Sequence, residues 1–205
     1  MIDQIIGGIL QGLIFMLIPF VVYLIKNKSY RGFWDYIGLK RSNTKANLMA
    51  LGLAGILATP MLLLIFFNEG FQAIMLAPES VSGQLRLAGL SISTVAMLLF
   101  TATFKTAFTE EVLFRGFIAK RLIAWLGIGW GNSLQALIFG LIHWLLFLGI
   151  TDNYLFLTVI LLVTTIGAFG KAYINEKHAD GSIVPAWITH ATGNLLSYSS
   201  VAFWL

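Results

Sequence analysis

The chain has 205 residues, of which 58% are hydrophobic and only 11% charged, with a mean hydropathy of +0.85. A soluble domain carries about a quarter of its residues as charges, so a soluble fold is excluded. The net charge is +4 and there is no cysteine; disulfides, thiolate catalysis and cysteine-ligated metal centres are out, and the clustered positive residues point to membrane topology rather than nucleic acid.

A membrane helix needs about 20 mostly apolar residues. Residues 5–25 are the first such run. With no basic leader region or small-residue cleavage site, it reads as a retained anchor. The next loop carries Lys26, Lys28, Arg31, Lys40, Arg41 and Lys45 against Asp35 alone. This asymmetry places it in the cytoplasm and the N-terminus outside. The second span is 48–67, with Pro60 as a kink, and the loop 68–85 with Glu69 and Glu79 lies outside. The third span is 87–104, bounded by Arg86 and Lys105, the latter inside.

The stretch 108–126 is helical but charged at both ends, with Glu110, Glu111, Arg115, Lys120 and Arg121, and is expected not to cross fully. One helix over 87–126 would be about 60 Å long, so it must break or project into the cytoplasm. The break is expected at 105–109, with Thr109 as N-cap. Spans at 134–150, 154–170 and 183–205 follow, with Asp152 outside, the link 171–180 inside and the C-terminus outside. The expected fold is all-α: a single integral-membrane domain, a polytopic bundle of six to seven transmembrane helices plus a short motif-bearing helix. Gly8-x-x-x-Gly12 and Gly127-x-x-x-Gly131 match the close-packing spacing and read as plain helix contact.

Against this apolar background several polar groups stand out. An ionisable side chain in hydrocarbon costs about 2.5–3.5 kcal/mol by insertion assays, so its default reading is functional. Glu111 and Arg115 are four apart, with the acid first, the favoured ion-pair orientation. Glu110 is about 100° round the helix and is free to act. His143 sits in a long apolar run and needs a partner from another helix, a carboxylate being the natural one. His190 and Asn194 share one helical face, with Pro185 near that helix's start. Counting along the helices puts all three clusters one third to one half of the way in from the cytoplasmic side. His178, among Glu176, Lys177 and Asp180, reads as solvated. There is no Gly-x-Ser-x-Gly elbow and no His-Glu-x-x-His pair, so serine-hydrolase and helical zincin readings lose support.

The ordered set Glu110-Glu111-Val-Leu-Phe-Arg115, Phe139-Gly-Leu-Ile-His143 and His190-Ala-Thr-Gly-Asn194 resembles the CPBP intramembrane proteases. These are also called the Abi or CAAX-protease-and-bacteriocin-processing family, and the resemblance runs from residue 108 to the C-terminus. It implies that Glu110 and His143 activate water, that His190 and Asn194 stabilise the oxyanion, and that Glu111 and Arg115 hold the motif helix. An amide and an imidazole N–H aimed at a developing oxyanion are strong stabilisers in a dry cavity. A metal-free glutamate mechanism explains these residues. So does a zinc or other divalent site made of Glu110, His143 and His190 with an open water position, and the two stay open here.

The resemblance implies a multi-pass membrane endopeptidase whose site opens towards the cytoplasm. Its substrate would be a lipid-embedded peptide or lipidated protein, such as a prenylated C-terminus, a leader peptide or a bacteriocin. The small size looks bacterial and favours a peptide substrate. Two rivals predict otherwise: a non-catalytic scaffold or immunity protein with a vestigial site, and a proton-coupled or metal-ion transporter, which would usually show two related halves.

Overall fold

The computed structural model describes residues 2–205, and among them there are helices and no strands. Helix α1 (Ile2–Asn27) leads through the single turn α2 (Phe33–Tyr36) to α3 (Thr44–Phe67). Two short helices, α4 (Glu69–Met75) and α5 (Val81–Ala88), connect it to a continuous stretch, Ile92–Leu148. Within that stretch lie α6 (Ile92–Leu99), a π-helical segment (Phe100–Phe108), α7 (Thr109–Glu111), a second π-helical segment (Val112–Ala119) and α8 (Lys120–Leu148). Helices α9 (Tyr154–His178) and α10 (Val184–Trp204) complete the chain. Four stretches, namely α1, α3, Ile92–Leu148 and α9, are long and apolar enough to cross a membrane. The protein is an all-α integral-membrane bundle.

The helix starts follow from short polar residues. Asn43, Asn68, Ser80, Ser91 and Asn153 each accept a backbone N–H three residues on, and Pro185 opens α10. These caps satisfy amide donors that no helix can satisfy internally. Helix α3 runs unbroken through Pro60. Its Ala46, Ala50, Ala54 and Ala58, each four apart, form a buried small-residue stripe. That stripe lets α10 approach closely enough for Thr189 Oγ1 to donate to Ala50 O at 3.0 Å. Helices α8 and α9 are joined by buried amides: Asn132 Nδ2 donates to Phe169 O at 3.0 Å, and Gln135 Nε2 to Asn132 Oδ1 at 2.7 Å and Ala168 O at 3.1 Å.

The expected break at 105–109 is absent. Thr109 has helical dihedrals (φ −63°, ψ −41°), and its hydroxyl donates back to Lys105 O at 2.6 Å instead of capping a new helix. The break lies at Gly127 (φ 77°, ψ 168°), a conformation that glycine adopts without penalty. The motif segment is therefore the second half of one long arm, 92–126. Lys105 is corrected with it. Its ammonium donates to Gln4 Oε1 at 2.6 Å, and its stem lies against Gly8. It is thus level with the start of α1, far from the basic loop. A long stem lets a cation reach a polar partner from an apolar position, so its charge does not mark a span boundary.

Of the two glycine pairs, Gly8 and Gly12 pack α1 against Phe100, Phe104, Lys105 and Thr109. Gly127 and Gly131 instead make the elbow, where a side chain on Gly131 would meet Leu122 O.

One end of the bundle gathers the basic groups. Lys120 Nζ donates to Glu176 Oε1 at 2.8 Å and to Gly181 O at 2.6 Å. Arg121 lies over the Tyr36 ring at 3.7 Å and donates to Tyr36 O at 3.0 Å. Gly38 (φ 70°) packs directly on Gly181 O, and its own carbonyl accepts from Ile183 N at 2.9 Å. The loop after α1, the Gly127 elbow and the turn before α10 thus share one end, with the acidic 68–85 connection at the other.

Candidate active site

The two π-helical segments flank Glu110 and Glu111. A π turn withdraws carbonyls from the regular ladder and is a frequent mark of functional sites. In the first segment, neighbouring helices take up two such carbonyls. From α1, Gln11 Nε2 donates to Lys105 O at 2.8 Å and to Thr109 Oγ1 at 3.0 Å. From α10, Trp187 Nε1 donates to Thr103 O at 2.7 Å. The irregular helix therefore fixes α1 and α10 on either side of the acidic pair.

Glu111 is fully buried. His190 Nδ1 donates to its Oε1 at 2.8 Å, and Lys171 Nζ donates to the same oxygen at 2.6 Å. Arg115 Nε lies 3.2 Å from Oε2, the expected ion pair, but its angle is poor and no guanidinium nitrogen makes a hydrogen bond. The guanidinium lies instead over the Phe139 ring at 4.1 Å. Arg115 is thus held to Glu111 by charge and to Phe139 by stacking, and Lys171 and His190 make the direct bonds to Glu111.

Glu110 is on the adjoining face. Its Oε2 is buried without a hydrogen-bond partner and lies 3.9 Å from His143 Nε2. His143 Nδ1 is 2.9 Å from Phe139 O. A carbonyl can only accept, so Nδ1 carries the proton and Nε2 of the neutral ring presents a lone pair towards Glu110. The 3.9 Å gap is too long for a direct bond and right for one bridging water.

Glu110, His143, His190 and Asn194 line one cavity of about 250 Å³. Glu110 and His143 also line a second, of about 390 Å³, between Gln11 and Phe15 of α1 and Ile142 and Leu146 of α8. The acid–histidine pair is therefore a wall shared by an inner cavity and a groove at the bundle's flank. By helix rise, Glu110 is about 15 Å along the axis from Lys120 at the basic end.

All six residues singled out in the sequence converge. Asn194 Nδ2 donates to Thr106 Oγ1 at 2.7 Å. His190 has its Nδ1 proton committed to Glu111, which leaves Nε2 as its free nitrogen. It can donate to an oxyanion only as an imidazolium. His178 is half-buried and packs on Tyr173, so it is not simply solvated. The trio a zinc ion would require is not drawn together: among the described residues no three His, Asp or Glu side chains meet at ligand spacing. The chemistry below therefore runs through no metal.

Two cavity residues escaped the sequence reading. The expected span ends at Gly170 and leaves Lys171 in the inside link 171–180. Helix α9 continues to His178 and carries Lys171 inward. Tyr198 also lines the cavity. Its signal was present, since 190, 194 and 198 repeat every four residues on one helical face.

A model of the Type II CAAX prenyl endopeptidase Rce1-like family matches residues 92–196. That match is half of the chain and includes every motif residue. The chain belongs to this family. No curated protein and no solved structure matches it. The family makes the protein a protease of the CAAX type in general terms.

Proposed function

We propose that this protein is an intramembrane endopeptidase that hydrolyses a peptide bond in a membrane-associated peptide or lipidated protein, using water activated by Glu110 and His143. The observation that carries this reading is the unpartnered Glu110 Oε2 facing the His143 Nε2 lone pair at 3.9 Å across a cavity wall. A water bridging them gives one hydrogen to each. As its oxygen bonds to the substrate carbonyl carbon, Glu110 takes a proton and the carbonyl electron pair moves onto oxygen. Glu110 then returns the proton to the amide nitrogen as the C–N bond breaks.

Asn194, released from Thr106, donates to the oxyanion, and His190 does so as the imidazolium, the form in which its Nε2 carries a proton. Glu111 and Arg115 hold the motif helix. The apolar groove beside α1 and α8 suits a substrate presented from the lipid. The whole chain acts as one protease domain in the plasma membrane. Its basic end faces the cytoplasm and its N-terminus lies outside, as the positive-inside rule requires.

The test is cleavage of a quenched panel of membrane peptides and prenylated peptides by purified protein in detergent. Wild type is run beside Glu110→Ala, with and without a strong chelator. Cleavage that Glu110→Ala abolishes and the chelator spares supports the glutamate mechanism. Loss under chelator with rescue by zinc refutes the metal-free mechanism. A Glu110→Ala protein that still complements in cells, with no cleavage of any panel member, favours a non-catalytic scaffold.

A further inference from the structure

Lys171 is part of none of the three motifs. Its place is nevertheless within the polar cluster: its ammonium donates to Glu111 Oε1 at 2.6 Å, lies 4.9 Å from the Phe139 ring centroid, and belongs to a side chain only 6% exposed. It also lines the inner cavity together with Glu110, His143, His190 and Asn194. A lysine carried by α9 into an apolar bundle has a cost, which its partners must offset.

The charges around it show what it offsets. The motif helix brings two carboxylates, Glu110 and Glu111, and one cation, Arg115, whose nitrogens make no hydrogen bond. Helix α8 brings His143, and α10 brings His190 and Tyr198, none of them a fixed charge. Helix α1 brings Gln11, and α3 brings apolar Ala54, Leu57 and Met61. Without Lys171 this group holds two acids and one base. In a poorly solvated interior an uncompensated charge is neutralised by a proton, and the proton would fall on a carboxylate that the chemistry needs ionised. Lys171 and His190 Nδ1 also share one Glu111 oxygen, so the ammonium fixes the atom that orients the His190 ring.

We propose that Lys171 is a positioning residue of this protease, supplying the second positive charge that keeps both motif glutamates ionised and holding the Glu111 oxygen to which His190 donates. The role rests on the protease reading above. It is exerted through Glu111 and Glu110 and involves no contact with substrate.

The experiment compares wild type, Glu110→Ala, Lys171→Ala and Lys171→Met in the cleavage assay, with thermal melting of each in detergent. Both Lys171 variants are expected to lose about tenfold or more in kcat, with KM within about twofold. Truncation to alanine opens a hole continuous with the cavity. Propylammonium should restore Lys171→Ala at least severalfold, and propanol, of the same length and uncharged, should not. That contrast separates charge from packing. A variant that cleaves at the wild-type rate, or equal rescue by propanol, overturns the proposal. If Lys171→Ala fails to fold, the kcat of Lys171→Met decides.

A melting cycle over Lys171→Met, Glu111→Gln and the double variant needs no substrate, so it decides even if wild type cleaves nothing and the protease reading itself fails. Coupled sites predict a double variant that melts no lower than the worse single one. Additive losses in that cycle overturn the charge pairing.

Discussion

The two flanks of the motif helix carry the same residue type in opposite surroundings. On one, Glu111 is sealed between α9 and α10 and accepts from Lys171 and His190 beside Arg115. On the other, Glu110 looks into two cavities with an oxygen that no protein group satisfies. A rotation of about 100° per residue separates them. Burial with one oxygen bonded to Lys171 and His190 and the other facing Arg115 makes Glu111 a structural tie, whereas an oxygen that meets no fixed charge and no donor leaves Glu110 available for water. The proposed reaction uses both, the tie to hold His190 in place and the free acid to activate water.

The sharpest way to break this comparison is to neutralise Glu110 alone. Glu110→Gln keeps the shape and removes the base, so kcat should fall by about 10³-fold or more, the middle of the range for general-base catalysis or above. The melting temperature should stay within a few degrees of wild type, because no bond is lost. A Glu110→Gln protein that cleaves normally would mean that the unsatisfied oxygen is incidental.

The converse change comes next. Glu111→Gln takes the carboxylate in contact with Arg115 and Lys171 away and leaves two buried cations against Glu110 alone. Breaking a buried pair in this way costs about 3–5 kcal/mol. Denaturation in detergent should show that loss, and activity should fall with it. Equal stability of Glu111→Gln and wild type would show that the sealed flank ties nothing.

Much of this difference was readable from the chain. The spacing of Glu111 and Arg115, the isolation of His143 and the pairing of His190 with Asn194 singled out residues that the fold brings together, because a polar group in an apolar run is conspicuous. The helical bundle and the agreement in depth followed from helix rise. Lys105 and Lys171 were not readable. Each was taken for a boundary because it is charged, yet one reaches Gln4 along its stem and the other meets Glu111 from another helix. A charge at the edge of an apolar run looks the same whether it meets headgroups or a buried acid, and only the partner distinguishes them. The π-helical turns were hidden too. In the first of them Gln11 and Trp187 take carbonyls from more than 80 residues away in sequence, and local propensity carries no trace of such contacts.

A smaller effect sharpens the Glu110 flank. Asn194 donates to Thr106 at rest and to the oxyanion in the proposed reaction. Asn194→Ala should therefore lower kcat by about 10²-fold with little change in KM, the signature of a group that acts in the transition state. An increase in KM alone would assign Asn194 to substrate binding instead.

The smallest expected effect concerns α1, which closes the groove side of Glu110 and none of the Glu111 side. Gly12 lies where an added Cβ would be 3.3 Å from both the Phe104 ring and the Thr109 methyl. Those neighbours must yield by a few tenths of an ångström, so Gly12→Ala should cost no more than about 1 kcal/mol. Its consequence should be lopsided. Thr109 directly precedes Glu110 and is held by Gln11 of the same helix, so pushing α1 outward widens the groove that Glu110 and His143 share with Phe15 and Ile142. KM for a membrane-anchored peptide should change by about two- to threefold while kcat stays near wild type. A Gly12→Ala protein with lowered kcat and unchanged KM would show that α1 acts on the reacting geometry itself, and the two flanks would then be less independent than their partners suggest.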